Sequence, residues 1–252
     1  MKKSVIFFAS MILSVAVFGQ NVTKQISVDV DEVQVTPPKF TGMQNATESF
    51  NARESSKINN YVLENFVCPE GVVKCKLEGT EIIEFTVNPD GKLSNFKVIN
   101  SVCRKVDEEM IKVLRTTNGM WMPGNNNGVP TAMEKELSMM IGDYSPDEIV
   151  NHFVRLAEKY FEIGSTNLLV EQKLKKALRY YDKGVRYMPN DKSLLLMRGI
   201  CNYGLGNREK AEKDWNRIVS LGGFDYHVDF DSLTEMKGYS EMRNILAKNQ
   251  DK

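Results

Sequence analysis

Four cysteines and two histidines are the residues of this chain whose chemistry reaches beyond packing. Cys68 and Cys75 flank the loop Pro-Glu-Gly-Val-Val-Lys, in which Pro69 and Gly71 favour a turn. That makes Cys68 and Cys75 candidates for a local disulfide, with Cys103 as a competing partner. Four cysteines permit three pairings, and spacing does not choose among them. Cys201 sits inside a helical apolar pattern and reads as a buried free thiol. No spacing matches a common zinc-ligand set, so no metal is expected. His152 and His227 fall in no arrangement that suggests a ligand pair or a triad. No glycine-rich loop follows a strand and opens a helix to cradle phosphate. Asp107-Glu108-Glu109 has the composition of a carboxylate site, but acids in a first helical turn stabilise the macrodipole by a few tenths of a kcal/mol each, and that reading is preferred. The run Lys173-Leu174-Lys175-Lys176 reads as a solvated helical face. The expectation is a protein that binds rather than catalyses, without cofactor.

The totals narrow the partner. Lys+Arg and Asp+Glu both number 33 in 252 residues, so no basic excess is available to displace counterions from nucleic acid. A hydrophobic fraction of 42% and a charged fraction of 26% are those of an ordinary globular protein. The N-terminus differs from the rest. Lys2 and Lys3 precede an apolar stretch from Val5 to Phe18, and Val17 and Gly19 are small enough for a cleavage site, leaving Gln20 as the mature start. About 14 apolar residues make only ~21 Å of helix, short of a ~30 Å hydrocarbon core. The pattern predicts export with cleavage of residues 1–19, and export lets disulfides persist.

The elements that would position these residues follow from periodicity. Residues 20–37 read as an extended linker. Alternation through Ile26, Val28, Val30, Val33 and Val35 supplies an edge strand, and Pro37-Pro38 stops it. Met43 to Phe66 turns helical, with Ile58, Tyr61, Val62 and Phe66 at three- and four-residue spacing. Thr80 to Val87 and Leu93 to Ile99 form a hairpin around Asn88-Pro89-Asp90-Gly91. A helix from Arg104 to Arg115 follows, then turns through Gly124–Gly128, then a strand from Met133 to Ile141. Trp121 is assigned to the core. Ser145-Pro146-Asp147-Glu148 is a helix start, and nearly everything after it is helical. Ala177, Tyr181, Gly184 and Pro189 recur 34 residues later as Ala211, Trp215, Ile218 and Gly223, each unit preceded by a glycine, Gly164 or Gly199. Tyr181 and Trp215 would fill gaps between helices, and Leu233 to Leu246 would cap the array.

Two resemblances emerge from these residues. Residues 38–142 resemble the TonB C-terminal domain family. The matching positions are Pro38-Lys39-Phe40, Gly79-Thr80, Ile83, Phe85, Val87, Asp90-Gly91, Val98, Ser101, Val106 to Glu109, Trp121 to Gly124 and Asn127-Gly128. Within a helical domain of residues 143–252, residues from about 146 to 223 resemble tetratricopeptide (TPR) repeats, the second unit keeping Gly199, Gly206 and Ala211 at the family's intervals. Together they imply an α+β chain, in which a small antiparallel-sheet TonB C-terminal-like domain precedes an all-α TPR-like helical repeat domain.

The first resemblance implies an exposed sheet edge that takes an extended segment of an outer-membrane TonB-dependent receptor as an added strand. The matching strand is the last one, with Met133, Lys135, Leu137, Met139 and Ile141 as partner-binding candidates. The implied protein is a periplasmic adaptor of a Gram-negative-type envelope that meets the membrane only indirectly or through an uncleaved N-terminal segment. Alternatives are a scaffold that associates with itself, as a homodimer, through the same edge, and a membrane-anchored transducer. The chain departs from a transducer in its short apolar segment and in a spacer of about 19 residues, at most ~65 Å long.

Overall fold

In the computed structural model, the described residues are 34–42, 54–70, 77–224 and 231–247. The expected leader, the lead-in through Val33, the start of the helix at Met43, and Cys75 and His227 lie outside them.

Asn88-Pro89-Asp90-Gly91 closes the main hairpin because each residue favours the reversal. The Gly91 N–H bonds to the Asn88 carbonyl at 2.9 Å, and the Asp90 carboxylate accepts from the Lys92 N–H at 3.0 Å. Gly91 has φ +75°, and a Cβ there would lie 2.6 Å from the Trp121 carbonyl, so the position needs glycine twice over. The turn joins β3 (Gly79–Val87) to β4 (Leu93–Asn100), and β8 (Met133–Ile141) pairs along the other side of β3. All contacts are antiparallel, in the order β4-β3-β8, with Gly79 opposite Ile141 and Val87 opposite Met133. The strands and the helix Arg104–Thr116 begin and end within a residue or so of expectation.

Two short ladders brace the end of this sheet. In one, β2 (Lys39–Phe40) pairs with β5 (Trp121–Met122). In the other, β6 (Gly124–Asn126) lies between β1 (Val35–Thr36) and β7 (Val129–Thr131). The segment expected to be turns throughout is therefore a hairpin. Only Asn127-Gly128 reverses the chain, both with positive φ (50° and 84°), as a tight two-residue turn requires.

Period-two alternation sends Ile83, Phe85 and Val87 to one face of β3, where α2 (Arg104–Thr116) packs Val106, Met110, Val113 and Leu114 against them. Burying each such side chain contributes roughly 1.5–3 kcal/mol. The helix α1 (Glu54–Asn65) adds Ile58 and Val62 to the same core, and its Tyr61 hydroxyl shares a 2.9 Å hydrogen bond with Thr116 of α2.

The second half is helical: α3 (Pro146–Ser165), a π-helical turn at Thr166–Val170, α4 (Leu174–Tyr187), α5 (Lys192–Gly204), α6 (Arg208–Ser220) and α7 (Tyr239–Ala247). Ser145 starts α3 as expected, with the Glu148 carboxylate reaching back to its N–H (3.2 Å) and hydroxyl (2.6 Å). The repeat read from sequence has a packing cause. A Cβ on Gly164 would lie 2.7 Å from the Tyr181 ring, and one on Gly199 would collide with the Trp215 indole. In each pair of helices a glycine therefore admits a large aromatic from the next helix. Tyr181 and Trp215 are fully buried, as expected.

The even-numbered face of β3 is covered by α4. Thr80 donates to the Tyr187 carbonyl at 2.6 Å and Asn100 to the Arg186 carbonyl at 3.4 Å, and Thr80 and Ile82 are buried. A Cβ on Gly79 would lie 2.8 Å from Arg186, which sets how closely helix and strand approach. From Gln34 onward the chain forms one compact unit. The α+β class is observed, with the central strand β3 packed on both faces.

Candidate functional site

Within its sheet β8 pairs only with β3 among the described residues, so the other side of its backbone is open. The five residues singled out from sequence share one face of this strand. Leu137, Met139 and Ile141 are buried against Phe85, Val62 and their neighbours, while Met133 and Lys135 are half-buried. Glu134, Glu136 and Ser138 on the opposite face are exposed. A β-strand alternates in this way when one face closes a core. The groups that remain available to a partner are thus the edge N–H and C=O groups, with the five side chains forming the inner lining.

The edge does not face open solvent. Two clefts run along it, separating β8 from α1 and from the start of α3. The first, of about 310 Å³, lies between Ile58 and the strand at Lys135–Ser138, with Phe40, Phe85 and Trp121 beneath. The second, of about 360 Å³, lies between Val62 and Leu63 on one side and Tyr144, Ile149 and Val150 on the other. Asn59, Leu137 and Ser138 line both, so the clefts form one groove with Asn59 at its middle. Its floor is apolar, and its rim exposes Leu63 (64%), Val150 (44%) and Tyr144 (42%).

Sequence reasoning found the strand and missed the walls. The available signal was Leu63, an apolar residue beside the Ile58/Val62 stripe of α1 with nothing in the helical period to bury it.

The floor is rigid. Trp121 is 5% exposed, its rings pack on Phe40 and Phe85, and its indole N–H donates to Thr117 at 2.9 Å, consistent with the core assignment. On the exposed face of β8, Arg217 of α6 grips both carboxylate oxygens of Glu136, one at 2.7 Å, and also bonds to Asn190. Next to it Lys97 bonds to Glu84 at 2.8 Å, which holds the ammonium above its ordinary range. Arg198 and Asp214 form a two-point ion pair between α5 and α6 at 2.9 and 2.6 Å.

Glu81 is fully buried on β3. One carboxylate oxygen accepts from the Val102 N–H at 2.8 Å, and the Asp107 side chain lies beside the group. Burial, with Asp107 nearby, pushes its pKa up to about 8 despite the Val102 hydrogen bond.

Cys68, Cys103 and Cys201 are free thiols, and Cys68 and Cys103 pack against the same core. Burial and then Cys103 push the Cys68 thiol up, and burial pushes Cys201 up to about 12, the inert thiol expected from its helical pattern. Asp107 accepts from the Ser101 hydroxyl at 2.7 Å in the first turn of α2, while Glu108 and Glu109 pair with Arg104 and Lys112. His152 joins a polar cluster at the junction of the two halves. Its Nε2 lies 3.0 Å from the Tyr144 hydroxyl and 3.5 Å from Glu78, which also accepts from Tyr187 at 3.1 Å. Among the described residues, no three His, Cys, Asp or Glu side chains gather as a metal site would need.

No protein-family model, curated protein or solved structure matches the chain.

Proposed function

We propose that this chain is an exported periplasmic adaptor, a binding protein rather than an enzyme, whose TonB C-terminal-like domain takes an extended segment of another envelope protein as a fourth strand on β8. One observation carries the reading: β8 is paired in register with β3 along all nine residues on one side and lies open on the other beside an apolar-floored groove. Strand addition uses this combination, because unpaired backbone groups supply the hydrogen bonds and the adjoining clefts take alternate side chains. Main-chain pairing at that edge is insensitive to partner sequence, so the groove would set specificity. An outer-membrane receptor of the TonB-dependent kind is the partner that the sequence resemblance favours.

The helical half supports a second contact. Its glycine–aromatic packing at Gly164–Tyr181 and Gly199–Trp215 fits the TPR-like reading. A cleft of about 520 Å³ between α3 and the start of α5, lined by Phe161, Leu194, Glu158, Glu162 and Asp191, is the surface we assign to a second protein.

Photo-crosslinking in cells from single positions along Met133–Ile141, with mass spectrometry of the adducts, tests the proposal. Adducts to an outer-membrane receptor support it. Adducts to other copies of the chain alone would replace it with the scaffold reading.

A further inference from the structure

We infer that the outer face of α4 docks on an anionic membrane surface, a leaflet whose phosphate headgroups carry net negative charge. This contact is separate from the edge of β8 and does not depend on what binds there.

The exposed charges of α4 are segregated by sign. Helical spacing puts Lys175, Lys176, Arg179, Lys183 and Arg186, all exposed, within ~100° of the circumference and along ~16 Å of the axis. Lys175 and Lys176, read from sequence as part of a solvated face, begin this row. Among the described residues, no carboxylate pairs with Lys175, Arg179, Lys183 or Arg186. Lys176 lies 4.0 Å from Glu171, which Lys173 holds more closely at 2.9 Å. Asp182, the only acid of α4, flanks the row and sits 3.7 Å from Arg198 of α5. Other helices mix their signs. On α2, Arg104 pairs with Glu108 and Lys112 with Glu109, and the start of α6 interleaves Arg208, Glu209, Lys210, Glu212 and Lys213. Mixing is the favourable arrangement in water, because like charges three or four residues apart weaken a helix. On α4, Lys175, Arg179 and Lys183 follow one another at four-residue spacing, and an anionic surface supplies the missing counter-charge.

The aromatics beside the row favour a membrane over an acidic protein. Tyr160, Tyr180 and Tyr187 are half-buried, with the Tyr160 ring 6.3 Å from Tyr180 and 6.1 Å from Tyr187. The Lys183 ammonium stands 5.5 Å from the Tyr160 ring and 5.6 Å from the Tyr180 ring. A phenol has an apolar body and a polar tip, the combination that settles at headgroup level. An acidic segment of a protein would be held in a groove. The cations instead lie along one convex helix, and none of them lines the clefts described above. Such a stripe meets a broad sheet of headgroups along its whole length.

Cosedimentation of the exported chain with lipid vesicles tests the contact. Vesicles of phosphatidylcholine mixed with an equal part of phosphatidylglycerol are expected to bind it, less tightly as salt is added, and vesicles of phosphatidylcholine alone are not. Each cation near an anionic surface strengthens binding about fivefold, so K175Q/R179Q/K183Q is expected to bind the mixed vesicles on the order of a hundredfold more weakly. Glutamine matches lysine and arginine in helix propensity, and an unchanged thermal melt shows that the variant is folded. K92Q/R104Q/K112Q removes the same charge elsewhere and is expected to bind like the parent. Equal binding of the parent to both kinds of vesicle, or to neither, overturns the inference. Equal loss in the two variants also overturns it, since net charge and not the α4 face would then be at work. Binding of the parent to polyglutamate in place of vesicles, lost in the α4 variant, overturns it in favour of an acidic protein partner.

Discussion

Glu81 shows how a single buried side chain sets a property of the whole molecule. Its carboxyl keeps a proton up to about pH 8, whereas an exposed glutamate releases it near 4.5. Between those values the folded chain holds one more proton than the unfolded chain, so stability falls as pH rises, by at most ~1.4 kcal/mol per unit. Below the lower value the stabilisation is fully present, and above the upper it is gone. Glu81→Gln keeps the shape and cannot ionise. Urea midpoints measured at pH 5, 6.5 and 8 are expected to fall with pH in the parent and to show a flatter dependence in the variant, which should be the more stable at pH 8. Asp191 makes a smaller contribution. It caps α5 by accepting from the Leu194 N–H at 2.8 Å, and Asp191→Ala is expected to cost ~1 kcal/mol in the same titration.

At the scale of elements, the two helical pairs depend on glycines that make room for aromatics. Gly199→Ala places a methyl group inside the Trp215 contact, and overpacking of this kind costs ~1–3 kcal/mol. The indole fluorescence of Trp215 should shift with it, because that ring is fully buried in the parent. The groove beside β8 depends in turn on where α1 sits, and α1 is held to α2 by Val62, Ile58 and the Tyr61–Thr116 hydrogen bond. Leu63 contributes little to that packing, being 64% exposed. Leu63→Glu is therefore expected to leave stability within ~0.5 kcal/mol of the parent. It should nevertheless lower partner capture from positions along β8 by about tenfold, since a charged side chain at the apolar rim must be desolvated when a strand docks. Crosslinking yield alongside thermal melting separates the two effects.

At the scale of the whole molecule, the sheet is shared between two cores. Its odd-numbered face belongs to α1 and α2, and its even-numbered face lies under α4, with Arg217 of α6 reaching Glu136 on β8. A strand docking on β8 would press on the same element that the helices grip. The Arg217–Glu136 pair is half-sheltered, with side chains 15% and 32% exposed. Allowing for solvent screening, a double-mutant cycle with Arg217→Ala and Glu136→Ala should return a coupling of ~1 kcal/mol. The coupling should shrink as salt is added. A coupling of zero would mean that this ion pair adds nothing to the hydrogen bonds that Thr80, Asn100 and Glu78 already make between the halves.

The sequence by itself determined whatever a few neighbouring residues can decide. Asn88 to Gly91 dictates a reversal through the dihedral angles those residues accept, and Ser145 to Glu148 starts a helix by satisfying its first donors. Period-two alternation makes Leu137, Met139 and Ile141 the inner face of β8. The 34-residue recurrence announced the helical pairs because glycine and aromatic must alternate for helices to nest. Only the tertiary structure decided what lies across from what. Val129–Thr131 shows no strand period, and becomes a strand because Gly124–Asn126 is beside it to accept its hydrogen bonds. The long apolar run of β3 reads as a strand of any fold until α4, about 100 residues away, covers its second face. That α1 and the start of α3 wall the open edge of β8 is equally silent in the sequence. Such placements depend on the shape complementarity of surfaces built from distant segments, whereas turns and caps are settled by contacts within a few residues.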